Sequence, residues 1–303
     1  MEWNILPFDT ERAESLAREL NLPPLIAKML LYRGLCRADQ VQDFFSPALL
    51  QLPPPHLMKD MDKAVNRILK ALEQGERIAI FGDYDADGIT ATALLVHFLK
   101  PFFPEILFYI PHRVREGYGL SVPGITSLKE QGVSLIITVD CGISNHQELE
   151  FAQGLGMEVI VTDHHQVSRK GAPSAAAAVL NPKQEDCTFP FKELAGVGVA
   201  FYLVIAFRQA LDLKGFFPNG KPNLRAYLDL VALGTVADVV PLLGVNRIMV
   251  REGLEVMTRF PHIGMAALKE VCGIQSEKAV SSVDVAFRLA PRINALGRMQ
   301  EAD

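Results

Sequence analysis

The sequence is poor in cysteine, and its four cysteines form no CxxC pair. Cys36, Cys141, Cys187 and Cys272 are far apart along the chain. This spacing indicates neither a disulfide framework nor a zinc ribbon, because both need closely spaced or regularly paired cysteines. The cysteine pattern fits the reducing cytoplasm.

Long apolar runs and targeting signals are also missing. The longest unbroken apolar run, 195–207, is shorter than the about 20 residues that a membrane-spanning helix needs. The opening segment MEWNILPFDTERAES contains acidic residues and no apolar core flanked by positive charge, so it is not a secretory signal. We therefore expect a cytoplasmic protein with no membrane partner.

Neither sign of charge dominates the chain. It has 30 Lys and Arg against 35 Asp and Glu, which gives a net charge of −5. Such a protein is not a general polyanion binder, and any contact with nucleic acid must use a local basic groove. The 303 residues, 49% of them hydrophobic, are enough for a large folded core in one or two domains.

Apolar strands alternate with helical segments through the middle of the chain. The proline-rich segment 51–55 follows short predicted helices and marks a domain edge. Near-continuous Val/Ile runs such as 77–82, 134–140 and 157–163 are typical of a parallel sheet covered on both faces. The fold class expected is α/β, with a doubly wound, mainly parallel sheet followed by a helical segment. The predicted domains are a helical segment at 1–55, an α/β domain at 56–240 and a helical segment at 241–303.

Acidic and histidine side chains follow three of the predicted strands. They occur in FGDYDADG, TVDCG and VTDHHQ, and a further aspartate lies in the apolar helix LVALGTVADVVPLL, where a lone acid is costly to bury unless it is paired or binds metal. Ligands of open parallel sheets bind beyond the carboxyl ends of the strands, so we expect one shared crevice. The candidate residues are Asp83, Asp85, Asp87, Asp140, Asp163, His164, His165 and Asp238.

So many carboxylates in one crevice would repel one another unless divalent cations bind between them. Carboxylates together with imidazoles suit Mn²⁺ or Mg²⁺. Several acids around two such ions describe a two-metal phosphoester hydrolase. The sequence therefore predicts two bound cations and a hydrolytic reaction.

Each motif by itself has a simpler alternative. The aspartates of 83–88 also begin an EF-hand loop, but its twelfth position would be Leu94 and a strand, not a helix, comes before it. The same residues could form an ordinary Asp-Gly turn. Asp140 could cap the helix expected near 145–154, the two histidines could be structural, and Asp238 could pair with a buried arginine.

The ordered set of motifs resembles the DHH phosphoesterase superfamily and, within it, the RecJ single-strand-specific exonucleases. DYDADG and DHH are similar to the superfamily motifs, while EGYGLS and PRINALGRM are similar to the RecJ branch. The resemblance implies hydrolysis of single-stranded DNA from the 5′ end, with release of mononucleotides, in DNA repair and recombination. A helicase and a single-strand-binding protein are candidate partners. The alternatives are a DHH phosphodiesterase acting on short oligonucleotides or cyclic dinucleotides, and a catalytically dead DHH replication scaffold.

The resemblance also implies a role for each metal-binding side chain. Asp85 should bind one cation and Asp87 the other, with Asp140 as a bridge between them. His164 and Asp238 should complete the second site.

Other roles follow from the same resemblance. His165 should hold or protonate the scissile phosphate, and Asp163 should brace the two histidines. Phe81 occupies the position where superfamily members acting on small molecules commonly have a metal-binding histidine. Asp83 is our candidate to replace it.

Two segments are candidates for DNA contacts. HRVREGYGL mixes basic and aromatic residues in the way used to track a flexible single strand, although it could be an ordinary exposed loop. For PRINALGRM the resemblance implies contact with the terminal phosphate end of the DNA, and helix-surface salt bridges are the alternative. The candidates are Arg113, Arg115, Tyr118, Arg292, Asn294 and Arg298.

RecJ enzymes continue beyond these motifs into a second catalytic lobe, whereas the sequence ends at Asp303. We therefore expect an amino-terminal fragment that holds the metal centre and half of the DNA cleft, and that cleaves DNA weakly or not at all by itself.

Overall fold

The computed structural model describes residues 9–275 and 277–299, with side chains as far as Ala295. The chain forms two compact units, Met1–Leu52 and Pro53–Asp303. The division lies three residues before the boundary that the prolines predicted at residue 55.

The first unit is helical. Its helices are α1 (Thr10–Leu20), α2 (Pro24–Tyr32) and α3 (Ala38–Phe45), followed by a 3₁₀ turn at Leu49–Gln51. The helices bury a small apolar cluster that includes Leu16, Leu30 and Val41.

The second unit contains a sheet of five strands, all paired in parallel, which confirms the predicted α/β fold class. The strands are β1 (Ile78–Phe81), β2 (Leu107–Tyr109), β3 (Leu135–Val139), β4 (Glu158–Thr162) and β5 (Ala178–Leu180). Their spatial order is β2-β1-β3-β4-β5. The three central strands are apolar along almost their whole length because both of their faces are buried.

Helices cover the sheet on both sides. The helices on one face are α6 (Val122–Glu130) and α7 (His146–Gly154), which pack on alternate strand residues such as Phe81 and Val161. The helices on the other face are α4 (Met61–Gln74), α5 (Ala86–Leu99) and α8 (Gly196–Leu213).

The remainder of the second unit is helical, as predicted. Its helices are α9 (Leu228–Ala237), α10 (Gly244–Arg259), α11 (Ile263–Val271), α12 (Ser282–Asp284) and α13 (Ala290–Met299); a π turn at Val285–Leu289 joins the last two, and 3₁₀ turns lie at Pro55–Leu57 and Leu224–Tyr227. Helix α9 packs on both α5 and α10. The boundary expected at residue 240 lies between α9 and α10 and stays a prediction.

Among the described helices, α8 alone has the length and apolar composition to cross a membrane. However, 61% of it is buried inside the protein, which is typical of a core helix. All four cysteines lie in the described part of the chain and carry free thiols.

The strand order fixes where a ligand can enter. Successive strands are added on opposite sides of β1, so the order reverses between β1 and β3. In a doubly wound sheet the crevice at such a switch point, beyond the carboxyl ends of the strands, is the usual ligand site.

Candidate metal centre

The loop after β1 delivers the first group of aspartates. Asp85 caps helix α5, because its Oδ1 accepts hydrogen bonds from the backbone N–H groups of Asp87 (2.9 Å) and Gly88 (3.1 Å). Asp83 is buried beside this cap. A Cβ atom at residue 88 would lie 2.6 Å from the backbone nitrogen of Asp83, so the turn requires glycine. Leu94 is buried within α5, and the EF-hand alternative is therefore wrong.

Asp140 follows β3 in an unusual backbone conformation. Its φ angle is 60°, in the left-handed region that few residues other than glycine adopt, and the residue is 2% exposed. The N-cap of α7 is Asn145, so Asp140 does not cap that helix. Its carboxylate lies against the start of α8, where a Cβ atom at Gly196 would be 2.6 Å from Asp140 Oδ1.

Asp163 organises the loop after β4. Its Oδ1 accepts hydrogen bonds from the backbone N–H groups of His164 (2.7 Å) and His165 (3.0 Å) and lies 2.8 Å from His165 Nδ1. Its Oδ2 accepts a hydrogen bond from the backbone N–H of Ile143 (2.9 Å). One buried carboxylate therefore fixes the histidine pair and ties it to the neighbouring loop.

Two further carboxylates come from helices. Asp87, in α5, accepts hydrogen bonds from the backbone N–H groups of Gly196 (2.6 Å) and Val197 (2.9 Å), which are free donors at the start of α8. Asp238 ends α9, and its Oδ2 lies 3.6 Å from His164 Nε2. Among the described residues its carboxylate meets this histidine, not an arginine.

The side chains from these loops and helices converge on one point. His164 Nε2 lies 3.1 Å from Asp140 Oδ1 and 3.9 Å from Asp87 Oδ2. Within the described residues, ligand atoms come within 4.8 Å of one another in three groups. The groups are Asp83, Asp85 and Asp140; Asp87, His164 and Asp238; and Asp140, His164 and His165.

Several buried atoms of this cluster have no hydrogen-bond partner. They are Asp83 Oδ1, Asp140 Oδ1 and both ring nitrogens of His164. Leaving a buried polar atom unpaired costs about 1–3 kcal/mol, so such atoms need an explanation. Carboxylate oxygens and an imidazole nitrogen that point at the same space are the ligand set of a divalent cation of the Mn²⁺ or Mg²⁺ type. The donors present therefore fit a metal centre.

Burial shifts the protonation of the cluster. Burial, with the charge of Asp85, raises the pKa of Asp83 to about 7. The same two causes raise the pKa of Asp238 to about 6. Burial and neighbouring carboxylates also raise the pKa of Asp87 and Asp140 well above the usual value. Without added positive charge, the cluster holds protons that a cation would replace.

The pKa values of the two histidines shift in opposite directions. Burial lowers the pKa of His164 to about 4, which keeps its ring neutral and able to bind a metal. The hydrogen bond with Asp163 raises the pKa of His165, whose side chain is 44% exposed at the rim of the crevice.

The candidate DNA-binding residues lie in two segments, and the first is the loop that carries Arg113, Arg115 and Tyr118. The Arg113 guanidinium lies over the ring of Tyr84, 5.0 Å from its centre, and Tyr84 stands between two of the cluster aspartates. Arg115 is exposed on the same loop. The Tyr118 hydroxyl donates a hydrogen bond to the backbone carbonyl of Asp140 (2.8 Å), a contact that its aromatic character did not indicate.

The second candidate segment lies in α13. Asn294 Oδ1 accepts a hydrogen bond from the backbone N–H of Ala86 (2.8 Å), next to the cluster, while Arg292 Nη1 donates to the carbonyl of Arg288 (2.7 Å). The side chain of Arg298 lies outside the described residues.

Sequence reasoning missed one supporting residue. Asn181 is fully buried after β5, and its Nδ2 donates a hydrogen bond to the carbonyl of His165 (2.9 Å). The sequence signal that could have identified Asn181 is a polar residue directly after an apolar strand.

Comparisons with known proteins show which family the chain is similar to. Residues 77–235 match the model of the DHH family, N-terminal domain. The whole chain is 42% identical to the single-stranded-DNA-specific exonuclease RecJ of Bacillus subtilis and covers 37% of that protein. It is 42% identical to the Escherichia coli exonuclease of the same name over 92% of the chain and 48% of the relative. The chain thus spans less than half the length of these relatives.

Two solved structures of RecJ are similar to the chain. A crystal structure of exonuclease RecJ bound to manganese matches it with a TM-score of 0.71 and 41% identity. This match covers 83% of the present chain and 60% of the chain in that crystal structure. The Mn²⁺ complex of RecJ from Thermus thermophilus matches with a TM-score of 0.76 and 35% identity. This match covers 98% of the present chain and 40% of the Thermus thermophilus chain.

Proposed function

The chain belongs to the DHH family, and we propose that the complete protein hydrolyses single-stranded DNA from the 5′ end with two Mn²⁺ or Mg²⁺ ions. The products would be mononucleotides, and the role would be DNA repair and recombination. The observation that carries the proposal is the convergence of Asp83, Asp140 and His164 with unpaired, buried ligand atoms. The curated relatives, named as single-stranded-DNA-specific exonucleases, give the substrate class.

The two ions would be held by the two halves of the cluster. Asp83 and Asp85 would hold the first ion, and Asp140 would contribute to both. The residues completing the second set are Asp87, His164 and Asp238. When bound, such ions neutralise the charge of the phosphate and help to ionise the attacking water.

The chain's own side chains would perform the remaining tasks. His165, at the exposed rim, would hold the scissile phosphate or protonate the leaving oxygen. Asp163 would keep its ring oriented through Nδ1. Arg113 and Arg115 would contact the phosphates of the incoming strand.

Two observations favour this function over its alternatives. The ring of Phe81 stacks on Tyr109 in the core, with 5.0 Å between the ring centres. This position therefore lacks the metal-binding histidine that is common in superfamily members acting on small molecules. A dead scaffold would have lost ligands, whereas Asp85, Asp87, Asp140, His164 and Asp238 are all present.

The proposal applies to the complete protein. Because the chain spans less than half of its curated relatives, we propose that it holds the metal centre and part of the DNA cleft. A cytoplasmic location, and a helicase and a single-strand-binding protein as partners, belong to the same proposal.

The test replaces Asp140 by asparagine in the complete protein. Asparagine keeps the size of the side chain and tolerates the left-handed backbone, so the loop should be preserved. Loss of the shared carboxylate should lower the Mn²⁺-dependent release of nucleotides from 5′-labelled single-stranded DNA by at least about 100-fold. Asp186→Asn, on an exposed residue paired with Lys59, is the matched control. Undiminished activity of Asp140→Asn would refute the two-ion proposal. Earlier release of label from 3′-labelled DNA than from 5′-labelled DNA would refute the proposed 5′ to 3′ direction of cleavage.

A further inference from the structure

The hydroxyl of Tyr118 lies between two loops of the metal centre. It donates a hydrogen bond to the backbone carbonyl of Asp140 at 2.8 Å, and its oxygen is 2.9 Å from His165 Nδ1. The Tyr118 and His165 rings meet edge to face, with centres 5.5 Å apart. Tyr118 therefore contacts both the loop after β3 and the loop after β4.

The single proton of the phenol determines which group donates in each hydrogen bond of Tyr118. A phenol has one proton, and a carbonyl oxygen can only accept, so the proton of Tyr118 points at Asp140. Toward His165 the hydroxyl oxygen can then only accept, and Nδ1 must carry a hydrogen. Asp163 Oδ1, 2.8 Å from the same nitrogen, accepts from it as well. In the neutral ring, Nε2, which lies 3.4 Å from the same Tyr118 oxygen, is then the nitrogen without a hydrogen.

The bond to Asp140 also bears on the ligand itself. Asp140 has a φ of 60°, a conformation that costs a non-glycine residue energy and persists only where its surroundings fix it. The Tyr118 hydroxyl binds the carbonyl of this residue. It thereby holds the peptide whose side chain approaches His164.

The loop that carries Tyr118 is itself tightly held. Glu116 accepts hydrogen bonds from the hydroxyls of Tyr109 (2.8 Å) and Ser121 (2.6 Å) and from the backbone N–H of His112 (2.9 Å). Tyr118 is 47% exposed, yet its hydroxyl is directed inward from an anchored loop, so the side chain has a role besides any stacking on bases.

We propose that Tyr118 is a positioning residue: its hydroxyl holds the His165 ring and the backbone of Asp140 in place, while base stacking is not its main task. The inference rests on the proposed nuclease function and names a further residue of that site.

Tyr118→Phe in the complete protein separates the two roles, because it removes only the hydroxyl. Partners that orient a metal-site histidine typically change activity by about 10–100-fold when mutated. We expect kcat for single-stranded DNA to fall by that factor while KM stays within about twofold. A stacking residue would give the reverse result: Tyr118→Phe would behave like the wild type, and Tyr118→Ala would raise KM at unchanged kcat. Tyr202→Phe, which removes a buried hydroxyl without a hydrogen-bond partner, is the matched control.

A spectroscopic measurement gives a second, independent answer. In metal-free protein labelled with ¹⁵N-histidine, at an alkaline pH where the imidazole is neutral, His165 should carry its hydrogen on Nδ1. In Tyr118→Phe we expect the same tautomer, because Asp163 still accepts from Nδ1, but a broader resonance, because the ring is held at one point fewer. The resonance is assigned by its loss in His165→Asn. Wild-type kcat or an unbroadened His165 resonance in Tyr118→Phe would overturn the inference. If the wild-type protein itself does not degrade DNA with Mn²⁺, the proposed function fails, and the width of the His165 resonance still decides the role of Tyr118.

Discussion

Asp163 holds His165 at two points, because its Oδ1 accepts the backbone N–H at 3.0 Å and lies 2.8 Å from ring Nδ1. The same carboxylate reaches Ile143 in the neighbouring loop through its other oxygen. A single buried charge therefore sets the position of the most exposed histidine of the crevice and joins two of the loops that form it.

Replacing Asp163 by asparagine should reduce both activity and stability. The amide is neutral and keeps one acceptor oxygen, so every donor loses a charged partner and at least one loses its acceptor. We expect a fall of about 10–100-fold in kcat and a loss of about 1–3 kcal/mol in the free energy of unfolding. Steady-state nuclease assays and urea titration measure the two effects. Activity within twofold of the wild type would show that this carboxylate does not orient His165.

Gly196 should not tolerate alanine. Its Cβ atom would lie 2.6 Å from Asp140 Oδ1, and the backbone N–H of this residue binds Asp87 at 2.6 Å. Crowding of this kind costs about 1–3 kcal/mol and should displace the carboxylate, so the affinity for Mn²⁺, measured by titration calorimetry, should fall at least about tenfold.

Gly154→Ala is the matched control for this change. A Cβ atom at Gly154, the last residue of α7, would meet nothing within 4 Å. We expect unchanged Mn²⁺ affinity and a stability that is equal or higher by up to about 1 kcal/mol, because alanine is the better helix former. Equal Mn²⁺ affinities for the two alanine variants would contradict the packing described for Gly196.

The stabilisation that a cation provides should depend on pH. Burial, and then the charge of Asp85, raises the pKa of Asp83 to about 7, so the folded metal-free protein holds this proton more tightly than the unfolded chain does. The contribution of Asp83 to stability is therefore present below its ordinary pKa of 3.8 and is lost as pH rises toward 7. A bound cation replaces the proton.

Thermal unfolding with and without Mg²⁺ at pH 5.5 and 7.5 measures this effect. The increase in Tm caused by the cation should be larger at pH 7.5, because fewer protons then have to be displaced. Asp83→Asn should weaken the pH dependence. An equal increase at both pH values in the wild-type protein would contradict the protonation state assigned to the metal-free cluster.

Arg113 should contribute to DNA binding more than to the chemical step. Its guanidinium is held over Tyr84 and its charge acts on Asp83 of the cluster, so it lies near the crevice and loses little side-chain entropy on binding. We expect Arg113→Ala to raise KM for single-stranded DNA about tenfold and to lower the salt dependence of binding by about one phosphate contact. Arg37→Ala, on an exposed arginine paired with Asp39, is the control. An unchanged KM would remove Arg113 from the DNA path.

The sequence was informative about the site because the reactive residues follow apolar strands. The position of Asp140 after β3 and of Asp163 after β4 is a local property, and parallel pairing brings such strand ends to one edge of the sheet. The alternation of strands and helices predicted the fold class for the same reason.

Contacts between remote residues could not be predicted in this way. Asn294 binds the backbone of Ala86 across 208 positions, and nothing local to either segment indicates the pairing. The left-handed conformation of Asp140 depends on the loops packed around it. Tyr118 was predicted from its aromatic ring, whereas its hydroxyl makes the contact that the structure reveals.

The most direct test of the account is the position of bound manganese. An anomalous difference map from a crystal of this chain grown with Mn²⁺ should contain two peaks in the crevice. One peak should lie among Asp83, Asp85 and Asp140, and the other among Asp87, His164 and Asp238. A map with manganese bound elsewhere and no peak at these side chains would contradict the claim that the cluster is a two-metal centre.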